Sequence, residues 1–426
     1  MRRPGRFASS PSCPRPRAAR SSASSSASRR RVSENKAMPT RVLSPTRFPW
    51  YDHTRYSFSL GVASGGRAYL SGQTASTYDP ERRRMVIDGG MAEQARTAYA
   101  KIGAVLEADR RTLADVARVV EYLTPDGIER YDEARAARLQ AFGPHSPVVN
   151  TVPVRALLRD GALIEIEATA GSLGKTPSAA NESDGLVYLP SIHPVDGSGE
   201  VIGAGDLVAQ ANAIYDEAGR QLEALGLGFD KVVKTTDYVT PAALSVYKRT
   251  AEIRRDRLGP VFPASAGIIM PRLAHSGAMI QLDLVATRET PIRIDPGWRR
   301  YEALTYSPAV RAGSLLFISG QGAIDHRTGR VVADGDVAGQ AEYIYENVLA
   351  LVAAAGGVRE NLVQTIEYTT PAAQARYREV AGVRERLLGR PYPASTGPIC
   401  EALLRPEMLI EIDPLAVLDR GGPNAT

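Results

Sequence analysis

The chain has 426 residues, enough for two or three domains that each bury a core of their own. Its net charge of +5 misleads, because residues 1–45 hold eleven Lys and Arg against one acid, Glu34; the rest carries 41 basic and 46 acidic side chains, a net −5. These figures exclude a basic, nucleic-acid-binding body. No run of about 18 apolar residues offers a membrane span. Two cysteines, Cys13 and Cys400, make no disulfide framework and point to a reducing compartment, so a cytoplasmic protein is expected.

Residues 1–45 include "RAARSSASSSASRRR", an Arg/Ser-rich stretch with no apolar helix face, which predicts a disordered basic tail. It reads as a transit peptide, as a basic arm, or as the result of a start codon placed too early; the last is favoured, with Met38 as the true first residue. It lacks the apolar region of a secretory signal.

From residue 46 the chain repeats itself. "AYLSGQTASTYDPERR" (68–83) predicts a strand ending in Ser71-Gly72-Gln73, and Met91, Ala95, Ala98 and Ile102 then recur at helical spacing. "VVEYLTP" (119–125) and "LIEIEATAG" (163–171) follow as strands. The same helix stripe returns at Leu207, Ala211, Ile214 and Ala218, and again at Val337, Ala341, Ile344 and Val348. The strands return as "TTDYVTP" (235–241) and "MIQLDLVAT" (279–287), then as "TIEYTTP" (365–371) and "LIEIDPLAV" (409–417). Each helix carries a glutamine at one point, Gln94, Gln210 or Gln340, and the landmarks step by 116 and then 130 residues. Three landmarks keeping one pair of offsets identify three copies. The first strand signature survives in the last copy as "LLFISGQGAIDHRTG" (315–329) and is eroded in the middle one to "LVYLPSIHPVDGSGE" (186–200). "GKTPSAANESDG" (174–185) reads as linker, leaving the middle copy without a first strand.

Each copy therefore reads as strand, strand, helix, strand, helix, strand, strand; in the last these fall at 309–312, 315–320, 336–355, 362–369, 372–388, 394–403 and 408–417. Helices on one sheet face give an α+β sandwich. The other face is too apolar to stay exposed, so the three sheets are expected to close around a central β-lined axis as an intramolecular pseudo-trimer, with clefts between neighbours. The domains are 46–175, 180–290 (degenerate) and 296–420, with 421–426 a second tail.

"YSPAVRAGSLLFISGQ…TG", the helix with "A.QA", "V..T..Y.T", "YPAST" and the terminal "IEI" strand resemble the Rid/YjgF family, one member per copy. The resemblance implies homotrimers of a chorismate-mutase-like fold with active sites at subunit interfaces, and hydrolysis of 2-imino or enamino acids. Aminomuconate-type deaminases and chorismatase hydrolases are relatives. It implies a water-positioning carboxylate at Glu165 and Glu411, with Gln281 in the middle copy. It also implies substrate contact by the backbone of Ser71-Gly72-Gln73 and Ser319-Gly320-Gln321, against Leu189-Pro190-Ser191 in the middle copy, and a cleft-closing tyrosine at Tyr306, with Phe58 in the first copy. The family's carboxylate-binding arginine is missing: Ser265 and Ser395 replace it, and Val149 or Asn150 does so in the first copy. Losing that charge-assisted clamp costs on the order of 2–3 kcal/mol, so 2-imino acid hydrolysis is not the expected reaction.

Because the middle copy lacks the Ser-Gly-Gln, the glutamate and the tyrosine, only the cleft between the last and first copies is expected to be active. There Glu411 or Glu165 would act as general base and a Ser-Gly N–H pair as oxyanion acceptor, with Ser395 and Asn150 near the substrate. The bland alternative is that these glutamates only bond backbone N–H groups. Five scattered histidines give no metal site, and no nucleotide loop is present, so no cofactor is expected. Cys400 reads as a buried small hydrophobe before a nucleophile. Arg138, Arg254 and Arg384 recur as repeated surface or inter-copy salt bridges. The expectation is a cofactor-independent enzyme hydrolysing or isomerising a small enamine, imine or related carbonyl compound. The alternatives are a chorismatase-like enol ether hydrolase and a non-catalytic ligand-binding or interaction scaffold. A small-molecule substrate, no nucleic acid, no membrane and a monomeric chain complete it.

Overall fold

The computed structural model describes residues 40–174, 180–259 and 261–418. The expected tails, 1–45 as far as residue 39 and 421–426, lie outside the described residues. Residues 40–45 belong to the body: Arg41–Val42 pairs with Gly61–Ser64, and Leu43 is fully buried in the first core.

Three sheets repeat one topology. The first runs Arg41–Val42, Gly61–Ser64, Arg67–Gln73, Ile164–Ala170, Val116–Leu123, Val148–Pro153. The middle sheet has Asn181–Ser183, Leu186–Tyr188, Ile280–Thr287, Val232–Val239 and Ala264–Ile269 in the same order. The last has Ala309–Ala312, Leu315–Ile318, Ile410–Val417 and Leu362–Thr369, with Ala394–Thr396 and Pro398–Ile399 beside it. Even the irregularities recur, since the register shifts between Val116 and Arg118, Val232 and Lys234, Leu362 and Gln364. The middle repeat does have its first strand: Asn181–Ser183 forms a hairpin with Leu186–Tyr188 across Asp184-Gly185, both at positive φ. Of the segment read as linker, 175–179 lie outside the described residues, and 181–185 are too polar to announce a strand yet are pinned by that turn.

The long helices Met91–Glu107, Leu207–Ala224 and Val337–Ala354 match the expected stripes. Each lays its stripe on its own sheet, giving three separate cores. The expected helix 372–388 is broken into Pro371–Gln374, a turn at Tyr377–Glu379 and Val380–Leu387. The other sheet faces meet in a shared interior to which all three repeats contribute, including Tyr122, Tyr238 and Tyr368 in one layer and Tyr69, Tyr188 and Phe317 in another.

The recurring glutamine fixes where each last strand begins. Gln94 donates to Gly89 O and Gly161 O and accepts from Leu163 N; Gln210 does the same with Gly203, Gly277 and Met279, and Gln340 with Ala333, Glu407 and Leu409. Two residues beyond those anchored N–H groups lie Glu165, Gln281 and Glu411, so the helix start sets the position of the candidate site residues.

Of the recurring arginines Arg254 and Arg384 are buried and Arg138 is half-buried, so none is a surface residue. Arg138, Arg254 and Arg384 pair with Glu121 (2.6 Å), Asp237 (3.1 Å) and Glu367 (2.7 Å) within their own repeats. Arg254 and Arg384 also reach a neighbouring repeat through Thr305 and Ser57. Tyr99 and Tyr345 donate to Glu121 and Glu367 at 2.5 Å, but Asp237 is one methylene shorter and Tyr215 stays without a partner.

Candidate functional site

The repeats meet head to tail. Ala156–Leu157 of the first adds to Pro398–Ile399 of the last, and Ala402–Leu403 of the last adds to Ala264–Ile269 of the middle one. Each cleft therefore takes its Ser-Gly-Gln strand and carboxylate from one repeat and its penultimate strand from another. This overturns the expectation that Glu165 and Glu411 share a cleft: Glu165, with Ser71 and Gly72, faces Ser395 and Thr396, whereas Glu411, with Ser319 and Gly320, faces Ser265 and Gly267. Tyr306 goes with Glu411.

The first–last cleft is an open cavity of about 370 Å³ with Glu165 in its lining. Burial, helped by Glu167 two residues on, raises the Glu165 pKa to about 7, while Arg159 and the Gly397 N–H pull it back. A Cβ at Gly72 would run into the Glu165 carboxyl and the Thr396 methyl, so glycine is required there. Ser71 Oγ donates to Ser59 O (2.6 Å) and accepts from Ser395 N (2.7 Å). The expected oxyanion pair is not available: Ser71 N donates to Leu60 O and Gly72 N to Thr396 Oγ1, both at 3.0 Å. Thr396 Oγ1 passes the chain on to Glu167 (2.8 Å). Gln73 is buried and bonds Ser71 O, outside the cavity lining. Ser395 lines the cavity.

Sequence reasoning missed most of the cavity wall. Tyr51, Tyr56 and Phe58 form an aromatic side, with Tyr56 stacked on Phe58 at 5.3 Å and Tyr51 edge-on to Tyr56 at 5.7 Å. Four arginines, Arg55, Arg159, Arg378 and Arg384, line it as well. Arg55 pairs with Asp52 and Arg384 with Glu367, while Arg159 and Arg378 have no ion-pair partner among the described residues. Two signals were present: Arg159 and Arg405 stand six residues before Glu165 and Glu411, and Arg384 recurs.

In the last–middle cleft, burial and Asp413 raise Glu411 to about 8 against Lys234 and Arg300. Ser319 repeats the contacts of Ser71, and Gly320 N donates to Ser265 O because Ala266 stands where Thr396 offers a hydroxyl. Here the cleft is packed with aromatic rings: Tyr301 is only 2% exposed, lies edge-on to Tyr306 at 5.6 Å and accepts from Gln321. The middle–first cleft holds Gln281, which donates to Thr151 O and Ser191 Oγ. Asn150 is fully buried there, accepting from Arg118 and donating to Leu189 O and Ser191. Strand pairing makes Val149 the counterpart of Ser265 and Ser395, and Asn150 that of Thr396, so Asn150 belongs to a closed interface and not to the open cleft. The same pairing aligns Pro190-Ser191-Ile192, one residue later than expected, with Ser71-Gly72-Gln73.

Cys400 is buried in the shared interior with its Sγ toward Thr369 O, and burial drives its pKa upward, so it offers no thiolate. Along that interior Arg118 pairs with Asp283 and Lys234 with Asp413, each across a repeat boundary, while Gln364 takes the third cation's place near Glu167. Burial leaves Glu167 at about 7.

The family model for endoribonuclease L-PSP matches residues 52–172 and 299–418, the first and last repeats. A RutC family protein of Pyrococcus horikoshii is 29% identical over 134 residues, covering 32% of this chain and 96% of that protein. Protein DfrA of Myxococcus xanthus is 40% identical over 115 residues, 26% of this chain and 84% of its own. Among solved structures, a chorismatase aligns with TM-score 0.50 at 18% identity, over 71% of this chain and 93% of the chorismatase, a likeness of fold. A YjgF/YER057c/UK114 family member from Mycobacterium tuberculosis is 32% identical over 31% of this chain and 99% of its own, with TM-score 0.25. With more than half of its length matched in two repeats, the chain belongs to the endoribonuclease L-PSP family, the Rid/YjgF family of the sequence motifs.

Proposed function

We propose that the first–last cleft is the active site of a cofactor-independent enzyme that hydrolyses or isomerises a small enamine, imine or related carbonyl compound, with Glu165 as its acid–base group. The observation that carries this reading is a carboxyl with a pKa of about 7 in the lining of an open cavity. Such a group is half ionised near neutrality, the condition for taking a proton from water and returning it within one turnover. For an imine, Glu165 takes a proton from water as the oxygen bonds to the imine carbon and the C=N electrons move to nitrogen. Glu165 returns that proton to the nitrogen to give the carbinolamine, then relays the hydroxyl proton to the nitrogen as the C–N bond breaks and the C=O bond forms, releasing ammonia and the carbonyl product. Arg159, beside the carboxyl, is the group nearest in charge to hold a substrate anion.

A second reading, hydrolysis of an anionic enol ether, gains from the arginines. A strongly anionic substrate needs at least two cations, and Arg159 and Arg378 line the cleft with no ion-pair partner among the described residues. In it protonated Glu165 gives its proton to the vinyl carbon, water adds at the carbon bearing the ether oxygen and returns a proton to Glu165, and the hemiketal then breaks its C–OR bond, the alcohol leaving with the hydroxyl proton as the carbonyl forms. The same proposal has the chain act on a small molecule in the cytoplasm, without nucleic acid or membrane, as a monomeric pseudo-trimer. Among the described residues no helix is long and apolar enough to cross a membrane.

The test is incubation with a metabolite pool in ¹⁸O-labelled water, followed by mass spectrometry of what is consumed and formed. Hydrolysis predicts ¹⁸O in the product, isomerisation none, and either predicts a pH–rate limb near 7 that Glu165→Gln removes. Turnover that is unaffected in Glu165→Gln would overturn the assignment.

A further inference from the structure

The helix Met91–Glu107 sends one charged side chain into the protein, Lys101, and it is fully buried. Its Nζ donates to Thr74 O at 2.8 Å and to Ser76 O at 2.5 Å, clasping the segment that leaves the Ser-Gly-Gln strand. The same nitrogen lies 5.0 Å from the centre of the Tyr51 ring and 5.7 Å from that of Trp50. An ammonium is held electrostatically by ring faces at this range, and more strongly away from water. Thr74, Ser76 and Tyr51 all line the first–last cleft, and Tyr51 carries on through Tyr56 to Phe58. One cation thus fastens both segments that make up this wall.

The other repeats do not use the device. At the two repeat offsets the helix has Glu217 and Asn347, and in the last repeat the space beside Asn347 holds His326, stacked on Trp298 at 3.7 Å. The buried lysine belongs to the repeat whose cleft stands open. The charged and titratable groups bearing on it are Arg159, from the loop before the last strand, and the ring of Tyr51.

We infer that Lys101 is a positioning residue of the first–last cleft, fixing its aromatic wall by binding the carbonyls of Thr74 and Ser76 and the rings of Trp50 and Tyr51. This rests on the reading of that cleft as the active site, but its test needs no substrate, so each can fail without the other. In a Trp298→Phe background, Trp50 is the remaining tryptophan. Lys101→Met should change Trp50 emission and speed amide exchange about tenfold or more in 50–58 and 72–78, leaving the middle and last repeats as they were. Lys101→Arg, which keeps the cation, should restore both readouts. Unchanged exchange and emission in Lys101→Met, faster exchange across all three repeats alike, or no rescue by Lys101→Arg would each overturn the inference.

Discussion

Two carboxylates two residues apart on one strand cannot both ionise cheaply when both are buried. Glu165 and Glu167 each have a pKa raised to about 7, first by burial, and Glu167 adds to the rise at Glu165. Replacing Glu167 with Gln removes that repulsion, so the pH–rate limb assigned to Glu165 should move to lower pH; a limb that stays at 7 would show that burial alone sets it. The stability consequence has a definite sign. These folded-state values lie above the ordinary 4.5, so the folded state binds more protons than the unfolded chain between 4.5 and about 7, and stability falls as pH rises through that window. Each shift corresponds to on the order of 3 kcal/mol. Denaturant midpoints measured from pH 4.5 to 8 should therefore decline in the wild type and decline less in the Glu165→Gln/Glu167→Gln double variant. Cys400 makes the converse point, since its reactivity is suppressed by the same burial and slow labelling by iodoacetamide in the folded state is expected.

At the scale of elements, the glutamine that opens each long helix connects local sequence to the site. Gln94 satisfies two carbonyls and one N–H, and Gln94→Leu leaves them unpaired at about 1–3 kcal/mol for each group that water cannot reach. Calorimetry should show a large loss of melting temperature in that variant. Lys101, on the same helix, has a pKa lowered to about 7, first by burial and then by Arg159. Trp50 emission in a Trp298→Phe chain should therefore titrate near pH 7, and the step should vanish in Lys101→Met. The stripes and strands were readable in the sequence because three copies kept one period, and Leu362–Thr369 falls where its pattern places it. The break in the helix after Pro371 and the strand at Asn181–Ser183 were not readable. The first depends on Arg384 and Tyr377 turning inward to Glu367, a tertiary contact, and the second on pairing across a turn whose residues look like linker.

At the scale of the whole molecule, three repeats in one chain free each cleft to diverge. The head-to-tail arrangement joins the carboxylate of one repeat to the penultimate strand of the next. Each repeat thus supplies its carboxylate position to one cleft, and in the cleft that draws it from the degenerate middle repeat that position is Gln281, bonded to Thr151 O. Repeats could be counted from sequence, but which faces meet could not, because offsets carry no information on the order around an axis. That is why Glu165 and Glu411 were expected in one cleft and stand in two. The shared interior closes the sheets without a partner chain, so light scattering should give one chain of 45.8 kDa. An obligate trimer would contradict closure within the chain. The tyrosine layer there contributes to that closure, and Tyr368→Ala should cost about 3–5 kcal/mol by chemical denaturation.

If the first–last cleft is the working one, as proposed, turnover of Glu165→Gln and of Glu411→Gln must differ. With the substrate found in the labelled-water screen, Glu165→Gln should lose about 10²–10⁴-fold in kcat, the range for an acid–base group, while Glu411→Gln keeps wild-type turnover. Equal losses in the two variants, or loss confined to Glu411→Gln, would contradict it.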